Sequence, residues 1–372
     1  MSDPQPSGPA LPHQPASQET LADLGEWELI RRLGAFAPIG QFSDDAALLR
    51  KGPEGQGPLV INTDVLVEGL HFSDATTEPA DVGWRAAAVN LSDLAAMGCT
   101  EVVGLTVGLV APASTPWHWV EGVYAGISQC LQTHGGVLLG GDCSGGAQRV
   151  LAVTALGGLP SGGGAIRRRD GRPGDLLVCT GSHGLSRLGL ALLQGELAGP
   201  GPGDGARCTQ SDLPPGLIQR AIIAHRRPVP RFDAVQALIH CRPTGLTWRV
   251  GGCDSSDGLT AAVGAIAQAS GCSARLSQAE LPLDPAMAAL PQARAWCLRG
   301  GEDFELVLAL QPDWAEALVA AVPGSGVIGA LVAGPAGELG WTDGTPWSDA
   351  KAGFEHFRRH DQPLKSARPL TE

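Results

Sequence analysis

Short runs of β-branched and aliphatic residues alternate along the chain with segments whose apolar positions recur every three or four residues, the pattern of strands alternating with helices. One strand starts at Leu59, behind Gly57 and Pro58, and its apolar run stops at Asn62-Thr63-Asp64. That break places Asp64 at a strand end facing a cleft. Further strands are expected at 46–49, 102–110, 137–139, 150–156, 176–180, 304–310 and 327–331, and helices at 21–35, 81–97, 116–133, 185–194, 216–225, 231–241, 259–269 and 314–322. In the second helix Trp84, Ala87, Ala88, Leu91, Leu94 and Ala95 form one stripe, Asn90 and Asp93 share another face, and Gly98 is the stop. The third carries Trp117, Val120, Tyr124, Ile127 and Leu131 on its stripe, after Thr115 and Pro116. Strand 137–139 ends in Gly140-Gly141-Asp142, where missing side chains would let a phosphate or a metal reach the backbone.

With 372 residues the chain can bury two cores, and a break at 160–173, Ser-Gly-Gly-Gly followed by Arg167, Arg168, Arg169 and Arg172, marks the boundary. The alternation predicts an α/β (α+β) fold of two domains: an N-terminal mixed sheet with helices and a C-terminal α/β domain. A net charge of −12 argues against a nucleic-acid partner. The nine cysteines are scattered without a C-x-x-C pair and read as buried thiols of a reducing compartment, not as a disulfide framework or a zinc site. No apolar stretch reaches the roughly 18 residues of a membrane span. The first 20 residues, rich in Pro, Gln and Ser, read as a disordered tail rather than a signal peptide, so a cytoplasmic protein is expected.

The chemistry lies in carboxylates. Ser43-Asp44-Asp45, Asp64, Ser92-Asp93, Gly140-Gly141-Asp142, Asp254-Ser255-Ser256-Asp257-Gly258 and Gly300-Gly301-Glu302-Asp303 each set an acid beside glycine or a small hydroxyl residue. Any one of them reads as a turn, cap or solvated acid. Brought together they would repel unless cations neutralised them, which points to hard, oxygen-liganded metals such as Mg²⁺. The chain has three lysines, Lys51, Lys351 and Lys365, and none lies in a glycine loop. A P-loop and a protein-kinase glycine loop are therefore absent, and no G-x-S-x-G elbow is present for a nucleophilic serine.

Seven motifs in order complete the reading: Ser43-Asp44-Asp45, Asn62-Thr63-Asp64, Glu68-Gly-Leu-His-Phe72, Asn90-Leu-Ser-Asp-Leu-Ala-Ala-Met-Gly98, Gly140-Gly-Asp142, Ser256-Asp-Gly-Leu259 and Gly300-Gly-Glu-Asp303. In this order they resemble the thiamine-monophosphate kinases, relatives of the aminoimidazole-ribonucleotide synthetases and selenophosphate synthetases, from Leu21 to Phe357. The resemblance implies ATP-dependent phosphorylation of thiamine monophosphate to thiamine diphosphate without a phosphoenzyme, and a fold of the aminoimidazole-ribonucleotide synthetase type. It implies Mg²⁺ ligands at Asp44, Asn62, Thr63, Asp64, Asp93, Asp142, Asp254 and Asp257, with a role for K⁺ left open. ATP contacts are implied at Tyr124, Gly141, Asp142, Ser256 and either Arg168 or Arg169. Substrate contacts are implied at His71, Glu302 and Phe354. The implied division is 21–159 for metal and ATP, 160–357 completing the nucleotide and substrate site, with tails at 1–20 and 358–372, and a homodimer through the N-terminal domain.

The pattern departs from the family at Ser43, which replaces a glycine, at Asn62, which replaces a hydroxyl residue, and at Ser255, which replaces an aliphatic one. Two alternatives stay open: another synthetase of the superfamily, or a domain whose carboxylates bind metal without catalysis. A selenophosphate synthetase would need an N-terminal Cys or Sec and a Lys, whereas Cys99 and Lys51 are the first of each here.

Overall fold

A computed structural model describes residues 20–37, 39–40, 42–49, 58–160, 164–198 and 210–347. The chain divides into two compact units, Met1–Pro38 with Glu355–Glu372, and Ile39–Phe354. The described part of the first is helix α1 (Leu21–Leu33), broken at Gly25 by a φ of 70°, and the short turn after it. Phe354, Cys208 and the three lysines lie outside the described residues.

The second unit holds two sheets. The first contains β1 (Ala47–Leu49), β2 (Leu59–Val67), β3 (Glu101–Ala111), β4 (Val137–Gly145) and β5 (Val150–Gly158), in the order β1-β2-β5-β3-β4. Only the β3–β4 pair is parallel among these neighbours. Helices α2 (Pro79–Ala96) and α3 (Trp117–His134) cover one face. The second sheet contains β6 (Leu176–Cys179), β7 (Gly251–Asp254), β8 (Ser273–Leu276), β9 (Leu306–Leu310), β10 (Gly326–Val332) and β11 (Leu339–Trp341), in the order β11-β8-β10-β6-β9-β7. Its helices are α4 (Leu185–Gln194), α5 (Pro215–Arg226), α6 (Phe232–His240), α7 (Leu259–Ala269), α8 (Ala293–Arg299) and α9 (Pro312–Ala321). No described helix is long and apolar enough to cross a membrane.

Three local expectations are corrected. Strand β2 continues to Val67, so Asp64 sits inside a strand, where pairing with β5 as far as Val67–Val150 outweighs the polar interruption. Gly140-Gly141-Asp142 likewise lies within β4, paired with β3, instead of in a loop. Helix α3 buries Trp119, Val123, Ile127, Cys130 and Leu131, while Trp117 is exposed. The α2–α3 contact turns that face inward: a Cβ on Gly126 would lie 1.8 Å from the Ala80 carbonyl oxygen, and one on Gly83 1.8 Å from that of Val123. Two backbones touch where side chains are missing, and the helix rotates to allow it. Strands β8 and β11 and helix α8 carried no readable pattern. The cysteines match their reading for the most part: six are buried, Cys241 is partly so, Cys143 is exposed, and the eight described ones are free thiols.

Candidate active site

Strand β2 buries Val60, Asn62 and Leu66 beneath α2, and Asp64 alternates with them on the same side. Asn90 of α2 accepts hydrogen bonds from the Asn62 amide (3.2 Å) and from the Asp64 main-chain N–H (3.1 Å). Asp93, one turn further along α2, accepts a second bond from Asn62 at 2.7 Å. Ser92 reaches the other sheet, donating at 2.6 Å to Asp254 at the end of β7. Ser256 closes that loop by donating its hydroxyl to the second Asp254 oxygen at 3.0 Å. Before β1, Asp45 is ion-paired with Arg168, whose main-chain N–H donates to Asp44 at 3.0 Å.

These acids crowd one another. Burial, then the charges of Asp254 and Asp257, push Asp64 up to about 6. Asp93 is raised well above its ordinary value by burial and by Asp64, Asp254 and Asp45. Asp45 is raised to about 7, chiefly by burial, even with Arg168 opposing. A cleft that raises three carboxylates in this way lacks positive charge, and cations would supply it. The donor set fits a hard metal: every group is an oxygen, and the buried Oδ1 of Asn62 has no hydrogen-bond partner among the described residues. The described side chains do not yet form a closed metal cage, since no three His, Cys, Asp or Glu groups are gathered tightly enough to hold an ion.

Beside the acids is a second group. Glu302 follows Gly300-Gly301 with a left-handed φ of 58°, and its N–H donates to the Ser256 carbonyl at 2.6 Å. A non-glycine residue held there is strained by about 1–3 kcal/mol and needs surroundings that fix it. Arg85 of α2, almost fully buried, bonds Glu302 Oε1 at 2.5 Å, and His225 of α5 lies 3.5 Å from Oε2. Burial opposes charge on Glu302, yet Arg85, His225 and His71 outweigh it and hold the group below the usual carboxylate range. His225 is itself depressed to about 4 by burial and by Arg85, so at neutral pH Arg85 is the cation that counts. His71 lies within electrostatic reach of Glu302 and accepts the Val67 N–H at 3.0 Å through Nδ1. Two of the three substrate residues expected from the sequence, His71 and Glu302, are thus neighbours, and the third, Phe354, lies outside the described residues. Asp303 plays the cap, accepting from the Gly184 and Ser186 N–H groups at 2.8 and 3.1 Å where α4 begins.

Other expected residues do not join within this chain. Thr63 points to the opposite sheet face, 2.8 Å from the Thr154 hydroxyl. Asp142 pairs with Gly108, which pairs with Ala152 and so with Val65, and lies on that same outer face. Gly141 precedes it on edge strand β4, three strand steps or about 14 Å from β2. Tyr124, half-buried and raised by burial and then by Cys143 of β4, belongs to that distant edge. Asp257 is exposed at the rim. Arg169 is exposed and makes no ion pair with a described residue, whereas Arg168 is committed to Asp45.

Residues 43–159 match the family model of the AIR synthase related protein, N-terminal domain. A protein from Prochlorococcus marinus named thiamine-monophosphate kinase is 46% identical over 343 residues, covering 92% of this chain and 98% of the relative. The chain belongs to the thiamine-monophosphate kinase family. A second such kinase, from Synechococcus elongatus, is 44% identical over 347 residues, covering 92% of this chain and all of the relative. Among solved structures, AaThiL complexed with AMPPCP and TMP superposes with a TM-score of 0.73 at 26% identity, covering 92% of this chain and 100% of the other. The thiamine-monophosphate kinase fold accounts for both mixed sheets. Arg85 and His225 were missed in the sequence, while Asp45 and Ser92 stood in the acidic motifs without a role of their own. Arg85 left a trace, as the one charged residue between Asp81 and Asp93 of an apolar helix.

Proposed function

We propose that this chain transfers the γ-phosphoryl group of ATP directly onto the phosphate of thiamine monophosphate, giving thiamine diphosphate and ADP. The observation that carries it is the crowding of Asp45, Asp64, Asp93 and Asp254 from two sheets beside the Arg85–Glu302 pair. Asp44, Asn62, Asp64, Asp93, Asp254 and Asp257 would hold Mg²⁺, which when bound neutralises phosphate charge and keeps the two substrates in line. Ser256 would contact ATP, and Arg169, free of Asp45, is the arginine we assign to its phosphates. His71 and Glu302 would meet the thiamine moiety, with Phe354 as the ring partner implied by sequence. No side chain needs to accept the phosphoryl group, because the acceptor is the substrate's own phosphate.

We further infer a homodimer through the outer face of the first sheet. There Val65, Val137 and Leu139 are exposed beside a smooth row of Thr63, Thr154 and Thr106. A second copy would cover this face, which bears Thr63 and Asp142, and would give Gly141 and Tyr124 a site to join. The cytoplasm is the expected compartment, where ATP and Mg²⁺ are available, and a K⁺ ion remains compatible with the acid cleft.

The experiment follows the phosphorus. With Mg²⁺, thiamine monophosphate and ATP made chiral at the γ-phosphoryl group, the product should form one for one with ADP and with inverted configuration. Retention would mean a phosphoenzyme and would overturn direct transfer.

A further inference from the structure

The assignment of Glu302 to the thiamine moiety leaves open what holds a strained glutamate in place, and the inference below rests on that assignment. Arg85 joins Glu302 to two helices. It rises from α2, the helix that also carries Asn90 and Asp93, and one of its nitrogens bonds Glu302 at 2.5 Å. Another donates to the main-chain oxygen of His225 on α5. Its Nε is buried without a partner among the described residues, so the group accepts a desolvation cost that its two bonds must offset. His225 in turn contacts Glu302 and lies 3.3 Å from the Ser186 hydroxyl of α4. Helices α2, α4 and α5 are therefore tied to Glu302 through Arg85 and His225.

We propose that Arg85 is a positioning residue for the thiamine site: it fixes the Glu302 carboxylate, as an anion and in its left-handed backbone, toward the cationic ring of thiamine monophosphate. Thiamine carries a permanent positive charge on its thiazolium ring, and a carboxylate paired with Arg85 at one oxygen has only His225, 3.5 Å away and neutral at pH 7, at the other. Arg85 itself touches no substrate. Its loss should weaken binding of the thiamine compound and leave the nucleotide side intact, because the ATP contacts assigned to Ser256 and Arg169 do not pass through it.

The test uses the full-length protein with R85M, R85K and E302Q. Each is measured for KM of both substrates and, by calorimetry without ATP, for Kd of thiamine monophosphate. R85M should raise KM and Kd for thiamine monophosphate by about tenfold or more, the loss expected for a charged hydrogen bond, with KM for ATP within about twofold. R85K, which keeps the charge and loses the fork, should fall between R85M and wild type. If R85M unfolds, R85K carries the test alone, and a thiamine monophosphate Kd equal to wild type overturns the proposal. Equal rises in both KM values, or a fall in kcat alone, would also overturn it by showing a merely structural role. E302Q separates the two readings: should it leave the thiamine monophosphate Kd unchanged, the assignment of Glu302 fails; should it raise Kd while R85M does not, only the role of Arg85 fails.

Discussion

Burial holds two histidines of this protein, His183 and His225, well below the usual imidazole range. His183 is fully buried, with Nε2 2.8 Å from the Ser255 hydroxyl and Nδ1 3.4 Å from the Cys179 sulfur. Burial depresses it to about 4, with the Gly181 carbonyl opposing. Its folded pKa lies below the unfolded value near 6.5, so its contribution, on the order of 3 kcal/mol, is present above about pH 6.5 and lost as pH falls toward 4. Asp45, Asp64 and Asp303, all raised, have the opposite sign and gain stability on protonation, but they are common to any His183 variant and cancel in a comparison. Wild type should therefore take up about one more proton than H183Q on unfolding near pH 5, read from the slope of stability against pH. Equal slopes would mean that His183 is protonated in the fold. Ser255, which departs from the family pattern, has its reason here: its hydroxyl serves His183 and the Glu305 N–H.

At the scale of elements, periodicity located most strands and helices because each buries one face in a core. It failed where a polar residue lies inside a paired strand, as at Asp64, since hydrogen bonding to β5 does not appear in the side-chain pattern. It failed also for the buried face of α3, which is set by glycines that no hydrophobic stripe records. The site was legible where motifs supply oxygen atoms and illegible where a distant helix supplies the counter-charge. Arg85 and His225 meet Glu302 across more than 70 positions of sequence. The α2–α3 seam makes a direct prediction. A methyl at Gly126 would meet the Ala80 carbonyl, so G126A must push the helices apart and should cost several kcal/mol, as overpacked cores do. Thermal unfolding checks this, and a Tm within a degree or two of wild type would show that the seam gives way easily.

For the whole molecule, the account says that seating helix α2 of the first sheet against strand β7 of the second gathers anions that cations would reconcile. Asp64 and Asp93 come from the first sheet and its helix, Asp254 from the second, and Ser92 links them. Metal binding should therefore depend on the nucleotide that completes the coordination, not on the carboxylates alone. Equilibrium dialysis of Mg²⁺ against the full chain, with and without a non-hydrolysable ATP analogue, tests this most directly. The account predicts that the analogue increases Mg²⁺ uptake to more than one ion per chain and that D93N abolishes the increase. Uptake that is the same with and without the analogue, or unchanged in D93N, would contradict it.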